Sequence, residues 1–180
     1  MRILVNFTMK IIIEAETESD YEQITRLHIE AFNGDSEARL VEKLRKTPEY
    51  VSNLSLVAKY NNEIIGHILF YPLKINTGKK RCNSLALAPI SVLPNFQHKG
   101  VGGRLINEGL EKAQKFGFKS VIVVGHSEYY PRFGFKNASS YGISAPFEIP
   151  DNSFFAFELE KNGLKNCSGT IEYPNEFAEV

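Results

Sequence analysis

The chain is poor in several residue types, and each shortage excludes something. It has two cysteines, Cys82 and Cys167, and no tryptophan in 180 residues. No C-x-x-C spacing occurs, so no cysteine metal site is expected, and a disulfide framework is not expected either. Sparse cysteine fits a reducing compartment, and the expected location is cytoplasmic. No stretch approaches the ~18 apolar residues of a membrane span. The best run, Leu85 to Leu93, is broken by Pro89 and Ser91. Ile3-Leu4-Val5 is too short for the apolar region of a signal peptide. An excess of either charge is also missing: 21 basic residues balance 21 acidic ones. That lacks the basic footprint of a nucleic-acid binder. Neither nucleic acid, membrane nor metal is expected as a partner.

What the chain does have is core material. Thirteen phenylalanines, eight tyrosines and 43% hydrophobic residues suit one packed domain. We assign residues 9–180 to it. Met9 opens a clean β-branched strand, so residues 1–8 are either an upstream extension or a continuation of that strand. A helix follows, with Tyr21, Ile24, Leu27 and Ala31 at helical spacing and Asn33-Gly34 as its stop. A second runs from Asp35 or Ser36 to about Lys46, before Thr47-Pro48. Leu54–Tyr60 and Ile64–Leu73 form a hairpin around Asn61-Asn62. A third strand, Ser84–Leu93, is apolar almost throughout and is expected to be buried on both faces. Val101–Phe116 is a helix ended by Gly117, and Val121–Val124 a buried strand. A short helix or turn spans Ser127–Arg132. Ser153–Leu159 and Thr170–Tyr173 are further strands. The order β-α-α-β-β-β-α-β-α-β gives a mixed α+β class, part antiparallel and part parallel.

The informative stretch is Gln97-His98-Lys99-Gly100-Val101-Gly102-Gly103, between a buried strand and a helix. Helix N-termini leave amides unpaired and carry partial positive charge. Glycines let a phosphate approach them closely. His98, Lys99 and Arg104 are nearby, and no acid lies between Ser84 and Gly100. The loop suits a phosphate or diphosphate; otherwise it is a glycine-rich turn that binds nothing. A dinucleotide fingerprint fails because its last glycine position is Leu105, and the P-loop ending is absent.

Val92-Leu93-Pro94-Asn95-Phe96-Gln97-His98-Lys99-Gly100-Val101-Gly102 resembles motif A of the GNAT superfamily of N-acetyltransferases, Gln/Arg-x-x-Gly-x-Gly/Ala after a strand ending Val-x-Pro. Tyr129-Tyr130-Pro131-Arg132-Phe133-Gly134-Phe135 is similar to the family's Tyr-x-x-x-Gly-Phe segment, most of all in a YhbS-like bacterial subgroup. The resemblance implies a V-shaped mixed sheet, acetyl-CoA as cosubstrate, and a small-molecule or peptide amine as acceptor. It implies a donor site of Ile90, Val92, Leu93, His98, Lys99, Gly100, Val101, Gly102 and Gly103. There Val92 pairs with the pantetheine arm, much as an added strand pairs with a sheet edge. Ile90 offers its amide to the thioester carbonyl, an oxyanion donor. Pro89 suits the place where the ladder breaks. Homodimers are common in the superfamily.

The same resemblance makes Tyr130 the acid for the departing thiolate, with Tyr129 as fallback. The general base stays open among Glu30, Asp35, Glu37, His126, Glu128 and a water relay. His28 is expected to pack, and His67 has no assigned role. The alternative to an enzyme is a CoA-binding or sensing module with little catalysis.

Overall fold

The computed structural model describes residues 10–178. The question of residues 1–8 therefore lies outside the described residues. Among the described residues, nine strands form one mixed sheet. β1 (Ile12–Ala15), β2 (Ser55–Tyr60), β3 (Glu63–Asn76) and β4 (Arg81–Val92) are antiparallel neighbours in that order. β4 then pairs in parallel with β5 (Ser120–Val124), which is followed across the sheet by β8 (Phe154–Glu158) and the two-residue β6 (Lys136–Asn137). β9 (Gly169–Glu172) takes the edge of β3 that β2 leaves free, and β7 (Ile143–Ser144) pairs with β9. The mixed α+β architecture matches the expected class. The anticipated last helix is a single 3-10 turn, Tyr130–Phe133, closed by Gly134 at φ 91°.

Local chemistry sets the element ends. α1 (Tyr21–Phe32) stops at Asn33, in the left-handed region. α2 (Ser36–Leu44) ends two residues short of expectation. The amides of Lys46 and Thr47 turn back to the carbonyls of Lys43 and Leu44, and the Thr47 hydroxyl also donates to the Leu44 carbonyl at 2.6 Å. Asn61 and Asn62 both have positive φ (50° and 66°), which a two-residue hairpin of the right twist demands. α3 (Val101–Lys115) lays Val101, Leu105, Ile106, Leu110 and Ala113 on the sheet. It sits close to the strands, because Gly109 meets the Phe70 ring where a side chain would otherwise stand.

β4 is buried on both faces only as far as Leu87. Ile68 pairs with Ile90 but Phe70 pairs with Leu87, so Ala88 and Pro89 together oppose Leu69 in a β-bulge. β4 and β5 pair only through Leu85–Val121 and Ala86–Ile122. Beyond that point the two strands part, and Ile90 and Val92 are half-buried rather than enclosed.

One expectation is overturned. Cys82 and Cys167 form a disulfide, with Cα atoms 5.9 Å apart and a sequence separation of 85. Two cysteines so distant in sequence gave no spacing to read, and only the approach of the segment before β9 to the start of β4 brings them together. The bridge closes a long loop of the unfolded chain, so its loss is expected to cost about 2–4 kcal/mol. Cys167→Ser should lower the melting temperature under non-reducing conditions and make it insensitive to reductant. Thiol titration of the unreduced wild type, unfolded in denaturant, should find no free cysteine.

Candidate active site

The parted strands expose one edge of β4. The Leu93 amide donates to the Ile65 carbonyl on β3. Peptide groups alternate along a strand, so those of Ile90 and Val92 point the other way, into the gap that β5 has left. The Val92 carbonyl there accepts from the Gln97 side-chain amide at 3.1 Å. Leu93 differs from the rest of the expected donor set. Its amide goes to Ile65 and its carbonyl to the Phe96 amide, so it fixes the chain rather than facing the gap.

The loop after β4 leads through a short 3-10 turn into α3. His98 and Gly100 both take left-handed backbone conformations, φ 59° and 83°, which suits a concave nest of N–H groups. No side chain caps α3. The Arg104 amide donates to the Gly100 carbonyl, and the amides of the first turn of α3 have no intrahelical acceptor. His98, Lys99 and Gly100 are exposed. Lys99 Nζ lies 5.4 Å from the centre of the Phe96 ring, held beside the loop. Arg104 is occupied elsewhere, since its guanidinium donates to the Ile11 carbonyl at 3.0 Å.

Gly102 and Gly103 have a second reason to be glycine. A Cβ on Gly102 would stand 2.6 Å from the Tyr129 hydroxyl, and within 3.8 Å of Val92 and Ile90 side-chain carbons. A Cβ on Gly103 would stand 3.3 Å from Phe133. The first turn of α3 thus seats the aromatic segment 129–133 against the mouth of the gap. Tyr130 is 6% exposed and lies across Gly125, just past β5, edge-on to Tyr129 and Phe135. Burial pushes its phenol well above the ordinary 10, and that of Tyr129 upward too, against the opposing pull of Arg132. Both therefore stay protonated. The candidate bases Glu30, Asp35, His126 and Glu128 are exposed, and Glu37 is half-buried on α2.

A buried polar cluster under α1 was not legible as such. The Glu16 side chain is fully buried and takes Arg45 Nε and Nη2 at 2.8 and 2.7 Å, together with the Tyr50 hydroxyl. His67 Nε2 lies 3.1 Å from Glu16 Oε2 and 2.8 Å from Ser55 Oγ, and His67 Nδ1 lies 2.9 Å from His28 Nε2. Burial works against the Glu16 charge, but the bonds from Arg45 and His67 outweigh it and hold the carboxyl far below its usual range. Burial pushes His28 down to about 2, aided by the charges of His67 and Arg45, and lowers His67 against the pull of Glu16.

Against this geometry the comparisons are decisive. The family model described as an acetyltransferase (GNAT) domain matches residues 13–138, well over half of the chain. The chain belongs to the GNAT acetyltransferases. It is an acyltransferase by family, and its YhbS-like character is seen in individual relatives. The Escherichia coli (strain K12) N-acetyltransferase YjhQ is 38% identical over 135 residues, 74% of this chain and 75% of that protein. YhbS from the same organism is 28% identical over 92% of this chain and 98% of its own. The crystal structure of Escherichia coli YhbS in complex with CoA superimposes with a TM-score of 0.88 at 26% identity, covering 94% of this chain and 93% of that one. A GNAT acetyltransferase from Brucella melitensis in complex with acetyl-CoA gives 0.75 at 29% identity, covering 93% and 97%. Among the described residues no helix is long and apolar enough to cross a membrane, and no cluster of metal-binding side chains occurs.

The buried histidines give stability a pH dependence of definite sign. Unfolded, they protonate near the ordinary 6.5; folded, burial shifts both downward and disfavours their protonation. Their contribution is therefore complete above pH 6.5 and is lost as pH falls below it. Glu16 acts lower: its contribution is present above 4.5 and disappears as pH drops through its depressed folded value. The melting temperature should fall between about pH 7.5 and about pH 5, and His28→Leu should flatten that slope.

Proposed function

We propose that the protein transfers the acetyl group of acetyl-CoA to a primary amine of a small molecule or peptide by direct attack. The observation that carries this reading is the meeting of two features at one place. An unpaired strand edge at Ile90 and Val92 runs into a helix N-terminus whose first amides have no intrahelical acceptor. A diphosphate fits the amides of Lys99, Gly100, Val101, Gly102 and Gly103, with His98 and Lys99 as nearby side chains. A peptide-like arm fits the edge of β4, once Gln97 releases the Val92 carbonyl. The Ile90 amide would then stand at the thioester carbonyl and stabilise the oxyanion of the tetrahedral intermediate. YhbS with CoA and the Brucella protein with acetyl-CoA support the donor.

Tyr130 is our candidate acid. A buried phenol keeps its proton until a thiolate forms beside it, and proton transfer then follows the developing charge. Residues 9–180 form the single transferase domain, and a cytoplasmic location and a homodimer complete the proposal. The reading with little catalysis, an acyl-CoA sensor, has no observation that favours it over turnover.

Acetyl-CoA at about 100 times its Kd should stabilise the protein by about 2.7 kcal/mol, seen as a rise in melting temperature. Gly100→Val should abolish that rise, because a β-branched residue resists the left-handed backbone that aims the loop. Tyr130→Phe should keep the rise but lose about 10²-fold in kcat, measured as thiol release across a panel of primary amines. Full activity in Tyr130→Phe would remove that residue from the chemistry.

A further inference from the structure

The bridge between Cys82 and Cys167 lies in the wall of an open cavity of about 490 Å³, within the size range of small-molecule sites. Cys82 is partly exposed there, whereas Cys167 is 8% exposed. Cys82 stands ten positions before Val92 on β4. At ~3.3 Å per residue that is about 30 Å along the strand, so this cavity is separate from the cleft at the other end of β4.

Four cations share the cavity wall, Lys80, Arg81, Lys119 and Lys165, and among the described residues no aspartate or glutamate lines it. Arg81 is answered from outside by Glu172, and Lys119 by Glu160. Lys80 and Lys165 are exposed and make no ion pair among the described residues. The carbonyl end of α3 also meets the cavity and opposes an anion. That opposition is weakened because the amides of Gly117 and Phe118 donate to the Gln114 and Ala113 carbonyls. Phe116, 49% exposed, adds an apolar wall, which suits an organic anion over a bare inorganic one.

Cations beside a sulfur favour the thiolate, the form that both attacks and leaves in disulfide exchange. They also raise the local concentration of an anionic partner. A bridge buried in apolar surroundings has neither advantage; this one has both, together with an open approach to one of its sulfurs.

We propose that the cavity is a site of thiol–disulfide exchange with a small anionic thiol, of the size of a carboxylate-bearing tripeptide. The inference is independent of acetyl transfer. The incoming thiolate attacks Cys82 Sγ, the more exposed sulfur, and a new S–S bond forms. The Cys82–Cys167 bond breaks, and Cys167 leaves as a thiolate with the electron pair. A second small thiolate then attacks the small thiol's own sulfur in the mixed disulfide and releases Cys82. Two small thiols are oxidised to one disulfide, the protein bridge is reduced to two thiols, and the two protons pass from the small thiols to the cysteines. Exchange unpins the segment before β9 from the start of β4, while β9 keeps its pairing with β3.

The test compares reduction of the oxidised protein by glutathione and by glutathione diethyl ester, which keeps the thiol and the ammonium but loses both carboxylates. Rates are expressed per thiolate, so that the two differ in charge alone. At low ionic strength glutathione should be about 10-fold faster. The ratio should fall to about 1 when Lys80→Glu and Lys165→Glu are combined, and also in wild type at about 1 M salt, where the screening length is ~3 Å. Both lysines are exposed, so the double variant should keep the wild-type melting temperature within a few degrees. Equal rates in wild type at low salt, or a ratio that survives the double substitution, overturns the proposal. So does the finding of two free thiols in the unreduced wild type.

Discussion

The extra residue in β4 is the constraint on which the site depends. Up to Leu87 the odd-numbered side chains, Leu85 and Leu87, face α3. After Ala88 and Pro89 share one partner, the parity reverses and Ile90 and Val92 face α3 instead. An unbulged strand would turn Ser91 toward the helix and bury Ile90 under α1. The bulge also bends the strand where its bonds to β5 end. One inserted residue thus produces a free edge and points it at the glycine loop. It also sets which side chains line each face of the gap.

The two faces of that gap differ in character. On the α3 side the first helical turn, Ile90, Val92 and the aromatic rings of 129–133 make a narrow mouth with the first amides of α3 at its rim. On the other side, α1 covers an interior that is apolar except for one chain of hydrogen bonds from Arg45 to His28. A carboxylate placed there is tolerable because Arg45 meets it with two bonds and Tyr50 and His67 satisfy the rest. The price of such a cluster is conditional stability, since removal of Glu16 or Arg45 leaves the other's buried charge unmatched.

How much of this was legible depended on distance along the chain. Local signals held well: the Asn61-Asn62 hairpin, the Asn33 and Gly117 helix stops, the apolar stripe of α3 and the glycine loop at its start. Tyr130 and the 97–103 segment could be proposed from the sequence because the motifs that carry them are contiguous. The Glu16–Arg45–His67 cluster joins residues 29 and 51 positions apart, and each alone looks like an ordinary surface or core residue. The same holds for the cysteine pair. Gly102 and Gly103 were recognised, but only for one of their two reasons, because the rings they seat arrive from a segment about 30 residues later. Arg104 stood beside the glycine loop in sequence, and its tie to Ile11 could not be seen without the fold.

That tie has a mechanical side. Arg104 belongs to the first turn of α3, and Ile11 lies just ahead of the strand at the far edge of the sheet. The guanidinium is a brace from the first turn of α3 to the backbone just ahead of β1. A pull on the outermost strand is thereby transmitted to the glycine loop without passing through the sheet.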